Sequence, residues 1–203
     1  MKRFRDLFNR KEQTGPLTLV SGLPRSGTSM MMKMLEAGGL PPLTDAFRAA
    51  DDDNPKGYYE FERAKKLREG DADWLPDAQG KAVKVISALL RHLPSNYRYN
   101  VIFLRRAMPE ILASQKKMLV NRGEDPDKVS DEDMAQLYQK HLGQVTAWMA
   151  EQDFIDVLYL DYAAILNNPG PVPNQIARFL RQEMDTEAML AIVDPDLYRQ
   201  RAR

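Results

Sequence analysis

The sequence predicts an α/β protein of three layers, with helices on both faces of a central, mostly parallel sheet of about four to five strands. Three observations carry this. Short apolar runs recur at residues 17–20, 82–86, 101–104 and 155–160, the pattern of strands covered on both faces. Segments of helical period lie between them, as crossovers joining parallel strands require. The first strand also runs into a glycine-rich turn that opens directly onto a helix.

Composition bounds the rest. With 203 residues, 43% of them hydrophobic, the chain makes one domain with a core of ordinary size. We place that domain at 16–203, behind a basic lead-in at 1–15. Lys+Arg and Asp+Glu both total 29, so no global field favours a nucleic-acid partner. Cysteine is absent, which excludes disulfide frameworks and cysteine-based metal sites or catalysis, and two histidines argue against a His-rich metal centre. No apolar run approaches the ~18 residues of a membrane span, and the charged N-terminus lacks a signal-peptide core. The expectation is a soluble, cytoplasmic protein without a transmembrane segment or a metal requirement. A homodimer stays open.

Taken in order, Phe4, Leu7 and Phe8 lie at helical spacing in the basic lead-in, read as a segment packing one face on the domain, with a short amphipathic helix touching a membrane or partner as the alternative. Leu17, Leu19 and Val20 form the first strand, residues 21–28 a turn, and Ser29 onward a helix ending at Gly38 and Gly39. Residues 43–45 read as an edge strand after Pro41 and Pro42. Asp51, Asp52 and Asp53 open a polar loop through Gly57, where three consecutive carboxylates cannot all face one ion. Residues 58–69 read as helix, with Tyr59, Ala64 and Leu67 inward. Residues 82–86 and 101–104 are the second and third strands, with a turn or short helix at 87–92 between them. A helix follows at 109–120, with Ile111, Leu112, Met118 and Leu119 toward the core. Ser130 with Asp133 reads as a capping arrangement for a long helix reaching about residue 152. The fourth strand at 155–160 and a helix at 171–181 complete the pattern.

The loop carries the chemistry. Gly22 and Gly27 stand at the spacing of a P-loop, followed by Thr28 and Ser29, so helix N–H groups and a positive dipole end face a turn that glycines allow to close around a phosphate. The lysine that an NTPase carries after the second glycine is replaced by Thr28, and the positive charge sits at Arg25 instead. The string Pro24-Arg25-Ser26-Gly27-Thr28-Ser29 resembles the loop with which sulfotransferases hold the 5′-phosphosulfate of 3′-phosphoadenosine 5′-phosphosulfate (PAPS), in the form found in the tyrosylprotein branch and short bacterial members. The resemblance spans most of 16–182.

That resemblance implies more. The third strand ends in Arg105 and Arg106, with Pro109 and then Ser114, eight residues beyond Arg106. Guanidinium plus hydroxyl is suitable chemistry for a terminal phosphate. In the family this pattern holds the 3′-phosphate, a role that falls to Arg106 and Ser114. Two looser matches place Lys84 near the phosphosulfate and align Tyr159-Leu160-Asp161-Tyr162 with a C-terminal stretch. The implied donor is PAPS and the nucleotide product is 3′-phosphoadenosine 5′-phosphate (PAP), with an acceptor that the sequence leaves unidentified.

The departures matter equally. Ile86 stands where the cytosolic branch carries its catalytic histidine, and that branch's closing C-terminal loop is missing. The general base must come from elsewhere. Asp45, 21 residues beyond Pro24, stands about where tyrosylprotein-like enzymes carry a glutamate. Glu60 lies among Tyr58, Tyr59 and Phe61, where aromatics desolvate a carboxylate. Both also have structural readings, Asp45 as a helix cap and Glu60 in a surface pair with Arg63 or Lys65. His92 reads as structural. Arg25, Lys84, Thr28, Ser29 and the loop amides are the expected stabilisers of charge in transfer.

Two alternatives stand beside this reading. A P-loop phosphotransferase or NTPase draws support from Asp161 at the end of the fourth strand. A non-catalytic nucleotide-binding scaffold would keep the loop without a base. The acceptor pocket falls on variable loops at 45–60 and 121–135, with Tyr58, Tyr59, Phe61 and Trp74 as apolar lining or core.

Overall fold

The computed structural model describes residues 15–45 and 59–194. The expected lead-in segment, the aspartate run and Tyr58 lie outside the described residues.

Four parallel strands form one sheet in the order β2-β1-β3-β4, with β1 at Leu17–Gly22, β2 at Ala82–Lys84, β3 at Tyr99–Arg105 and β4 at Ile155–Asp161. Every residue of β1 is buried, as are the first six of β3, which is why apolar residues dominate both. β4 lies at an edge and is only partly covered.

Alternation along the two central strands separates two cores. Leu17, Leu19, Val101 and Phe103 face one side, where Trp74, Leu90, Val145 and Met149 cover them. Val20, Ile102 and Leu104 face the other, under Met31, Met32, Leu35, Ile165, Ile176 and Met189. The first cover comes from α4 (Asp131–Ala150) and short helical turns, among them α2 (Glu62–Lys65) and 3-10 segments at Lys66–Glu69, Leu75–Ala78 and Ser87–His92. The second comes from α1 (Thr28–Ala37), α5 (Tyr162–Asn167), α6 (Val172–Leu180) and α7 (Thr186–Ala191). α3 (Met108–Asn121) leaves the end of β3. This is the expected three-layer arrangement. No helix among the described residues is long and apolar enough to cross a membrane.

The Ser130 cap forms as expected, its Oγ accepting from Asp133 N at 3.1 Å. Three expected elements are shorter than their patterns. Residues 43–45 form no strand: an isolated bridge stands just before them, at Pro42 beside Ala82, and Leu43 N donates to Ala82 O at 2.8 Å. The second strand stops at Lys84, with one further bond from Val85 N to Val20 O before the chain turns into the 3-10 segment. The helix expected over 58–69 starts only at Glu62, because Tyr59 takes a left-handed backbone (φ 50°) and the Glu60 carbonyl accepts from Asp45 N and Thr44 Oγ1. A carbonyl so engaged is not free for a helical ladder. Trp74, weighed as pocket lining, is core: it is fully buried, edge-on to Phe61, with its indole N–H donating to Asp71 O.

The order of the strands places a reversal between β1 and β3. In open parallel sheets the ligand crevice forms beyond the carboxyl ends at such a reversal. Gly22 and Leu104 pair across it.

Candidate functional site

β1 delivers the chain into a tight turn. Ser26 N donates to Leu23 O at 3.2 Å, which makes Pro24 and Arg25 the central pair. Proline presets the first central residue, and a turn whose second central residue has positive φ normally uses glycine or asparagine there. Here that residue is Arg25, at φ 69°. A non-glycine residue in this region costs of order 1–3 kcal/mol and persists only where its surroundings hold it. Gly27 follows at φ 102° and opens α1 without a side-chain cap. Positive φ on both sides of Ser26 curls the backbone into a concavity of the kind whose N–H groups gather round an anion.

What holds Arg25 comes from β3 and α3. Arg106 donates from Nη1 to the Arg25 carbonyl at 3.1 Å, and Arg25 Nε donates to Ser114 Oγ at 2.9 Å. Arg106 also donates from Nε to Glu110 at 2.9 Å, a pair with side-chain exposures of 8% and 3%. Its guanidinium lies over the Tyr162 ring, 4.5 Å from the centroid. The same ring closes against Gly27, where an added Cβ would stand 2.4 Å from Tyr162 Cδ2. Burial raises the Tyr162 hydroxyl pKa despite the opposing Arg106 charge, so the ring stays a neutral platform. The structure therefore brings Arg25, Arg106 and Ser114 together, but in a pairing that spacing did not reveal: Ser114 meets Arg25, and Arg106 braces the loop backbone.

The opposite lip is Lys84. From the end of β2, its Nζ lies 3.5 Å from Ser29 Oγ in the first turn of α1. At the base of the loop, the Ser21 and Ser26 hydroxyls are fully buried and find no hydrogen-bond partner among the described residues. A Cβ on Gly22 would meet Ser26 Oγ at 2.5 Å and the Leu104 carbonyl at 2.7 Å, so only glycine fits there. Pro24 stays exposed at the rim.

Asp45 and Glu60 sit together, at the two ends of the segment 46–58. Asp45 Oδ2 accepts from Glu62 N at 2.6 Å, at the first residue of α2; the cap expected over 46–48 lies outside the described residues. Glu60 pairs with Lys65 at 2.8 Å. Tyr59 donates to the Glu36 carboxylate on α1, and burial together with that contact holds its hydroxyl pKa well above the ordinary phenol range. His92 is exposed. Asp161 pairs with Arg105 at 3.2 Å across the ends of β3 and β4, and both side chains are more than half exposed.

Three residues of this end of the sheet receive no role from sequence reasoning. Glu110 stands four residues after Arg106, a helical ion-pair spacing that does signal it. Tyr162 is quoted only within the loose C-terminal match, and its partners come from the loop and from β3. His141, on α4, meets the buried Ser87 just beyond β2, with Nε2 and Oγ 2.9 Å apart.

No family model matches the sequence, and no curated protein matches it either. Solved structures do. The sulfotransferase domain of the Synechococcus PCC 7002 olefin synthase superposes with a TM-score of 0.58 at 14% identity, covering 93% of this chain and 89% of that one. The sulfotransferase STF1 from Mycobacterium tuberculosis gives 0.55 at 16%, over 87% of this chain and 70% of its own. A sulfotransferase from Alicyclobacillus acidocaldarius gives 0.52 at 14%, over 91% and 99%. Identity this low speaks to architecture alone, and the architecture agrees over nearly the whole chain. The chain has the sulfotransferase fold.

Proposed function

We propose that this chain is a sulfotransferase, moving a sulfuryl group from PAPS to a hydroxyl or amine acceptor by in-line displacement. One observation carries the reading: the loop with Arg25, the α3 side with Arg106 and Ser114, and Lys84 from β2 converge at the carboxyl ends of adjacent parallel strands. Their chemistry fits the donor. Gly22 and Gly27 stand where a Cβ would collide, and Ser26 keeps a buried hydroxyl beneath the turn. Bound PAPS supplies an activated sulfuryl group on a phosphate leaving group.

The chain's own residues then have distinct work. The loop amides with Thr28 and Ser29 orient the 5′-phosphate at the start of α1. Lys84, beside Ser29, neutralises charge gathering on the leaving oxygen. Ser114 with the Arg25 and Arg106 guanidinium groups forms the cationic corner for the 3′-phosphate, the group that separates PAPS from ATP. Arg106 acts chiefly by fixing the Arg25 backbone. Asp45 and Glu60 join their two segments through the bond from Asp45 N to the Glu60 carbonyl, and we assign them that structural role ahead of proton transfer. The reading carries with it a cytoplasmic setting, with the donor nucleotide and one acceptor as partners. Asp161, the support for a phosphotransferase, is taken up by Arg105.

Calorimetric titration with PAP and, in parallel, ATP–Mg²⁺ tests this. PAP should bind preferentially, and Ser114→Ala should weaken it about 10-fold or more, as loss of a hydrogen bond to a charged group does. A preference for ATP–Mg²⁺ would sink the assignment.

A further inference from the structure

The sheet has two edges, and the chain treats them differently. At β2 the edge is three residues long and covered: Ala82 N donates to Pro41 O at 2.9 Å, and Ala82 O accepts from Leu43 N at 2.8 Å. Pro41 and Pro42 keep that pairing from spreading. At β4 the edge is seven residues long and reads Ile-Asp-Val-Leu-Tyr-Leu-Asp, without proline, glycine or lysine. Its register with β3 is continuous from Ile155 to Asp161, so no bulge turns it aside. Its faces are packed, Val157 and Tyr159 on one core and Leu158 and Leu160 on the other, yet Val157, Leu158 and Tyr159 stay only half-buried.

Backbone direction fixes what this edge offers. Tyr99 N donates to Phe154 O at 2.9 Å, and Tyr99 pairs with Ile155. In a parallel ladder that turns the backbone groups of residues 154, 156, 158 and 160 toward β3. The N–H and C=O groups of Ile155, Val157 and Tyr159, with Asp161 N–H, then point away from the sheet. Among the described residues no strand pairs with them.

We propose that this edge is a homodimer interface, in which β4 of a second copy adds antiparallel about a two-fold axis at Leu158. The two four-stranded sheets become one. In that register the strand is complementary to itself. Val157 meets the partner's Tyr159, and Tyr159 the partner's Val157, as hydrogen-bonded pairs that set a β-branched side chain beside an aromatic one. Asp156 falls opposite Leu160 and Asp161 opposite Ile155, so no like charges face each other. An axis at Val157 would instead set Asp161 against Asp153, and an axis at Tyr159 would leave Ile155 beyond the end of the partner strand. Antiparallel docking sends the carboxyl ends of the two sheets in opposite directions, so the two crevices lie at opposite ends of the dimer.

The chain has no cysteine, so single-cysteine variants report this register directly. Leu158 faces its own counterpart in a non-hydrogen-bonded position, where Cα atoms stand about 4.5 Å apart, within the span of a disulfide. Leu158→Cys should therefore form a covalent dimer on mild oxidation. Asp156→Cys, at a more exposed position of the same strand, lies four residues along from its counterpart, about 14 Å away, and should remain uncross-linked. Sedimentation velocity of the unaltered chain should give twice the mass of one chain. Val157→Pro removes an outward N–H without touching the β3 ladder, and should weaken association about 10-fold or more. A monomer at every concentration reached would overturn the proposal. So would a dimer in which Asp156→Cys cross-links as readily as Leu158→Cys, since the copies would then meet elsewhere or in another register. Should Val157→Pro fail to fold, the two cysteine variants decide.

Discussion

The two flanks of the crevice are built from the same kinds of residue and held by different physics. On the α3 flank, Arg106, Glu110, Ser114 and Tyr162 are buried, and each contact serves the loop. On the α2 flank, Lys65 meets Glu60 and Glu62 with side-chain exposures between 21% and 55%. A desolvated charge pair fixes geometry because removing one partner strands the other. A solvated pair is screened and worth ~0–1 kcal/mol. The rigid flank is thus where an unvarying ligand end can be read, and the soft flank is where a variable one can be accommodated.

Glu110→Gln tests that contrast most severely. It removes the carboxylate charge that Arg106 Nε meets in a desolvated pair, and should cost about 3–5 kcal/mol of unfolding free energy. Lys65→Ala, on the other flank, should cost under about 1 kcal/mol. Urea unfolding of both variants checks the pair. Equal losses would mean that burial does not separate the flanks.

Gly27→Ala comes next in size and asks whether the rigid flank and the loop are one unit. The added Cβ would lie 2.4 Å from the Tyr162 ring, at a φ of 102° that alanine resists. We expect a loss of about 1–3 kcal/mol together with weaker PAP binding. Combining it with Tyr162→Ala removes the collision but not the backbone strain, so the double variant should be less destabilised than the two losses added. Strict additivity, measured by thermal unfolding, would uncouple the ring from the loop.

How far the sequence revealed these flanks follows from how local each one is. The β1–loop–α1 unit was legible because its signals are contiguous: an apolar run, two glycines and a helix-forming stretch. Arg106 and Ser114 were legible as a spacing, yet not as contacts, since Ser114 finds Arg25 across 89 positions. Residues 59–61 were misread as helix because the left-handed Tyr59 is fixed by Glu36 and Thr44 fixes the next carbonyl, neither of them a neighbour in sequence. Trp74 was ambiguous for the same reason. An aromatic residue reads alike in a pocket and in a core until its packing is known. His141 gave no signal at all, because its partner Ser87 is 54 residues away on another element.

His141 also supplies the smallest effect and the most direct probe of how dry the α4 side is. Burial, with Arg91 second, lowers its pKa in the folded chain. The unfolded chain, with an ordinary value of about 6.5, therefore binds the proton more readily than the folded one. Its contribution to stability is fully present above that value and is lost as pH falls through 6.5 toward the lower folded pKa. Unfolding temperatures taken between pH 7.5 and 5.5 should fall more steeply in the unaltered chain than in His141→Gln, since the other titrating groups are common to both. Ser87→Ala sharpens the comparison. Removing the hydroxyl leaves the ring's surroundings more apolar, favours the neutral form further and should steepen the fall. Parallel curves in all three chains would mean that the imidazole is as well solvated in the fold as out of it, and that the α4 side is as soft as the flank at Lys65.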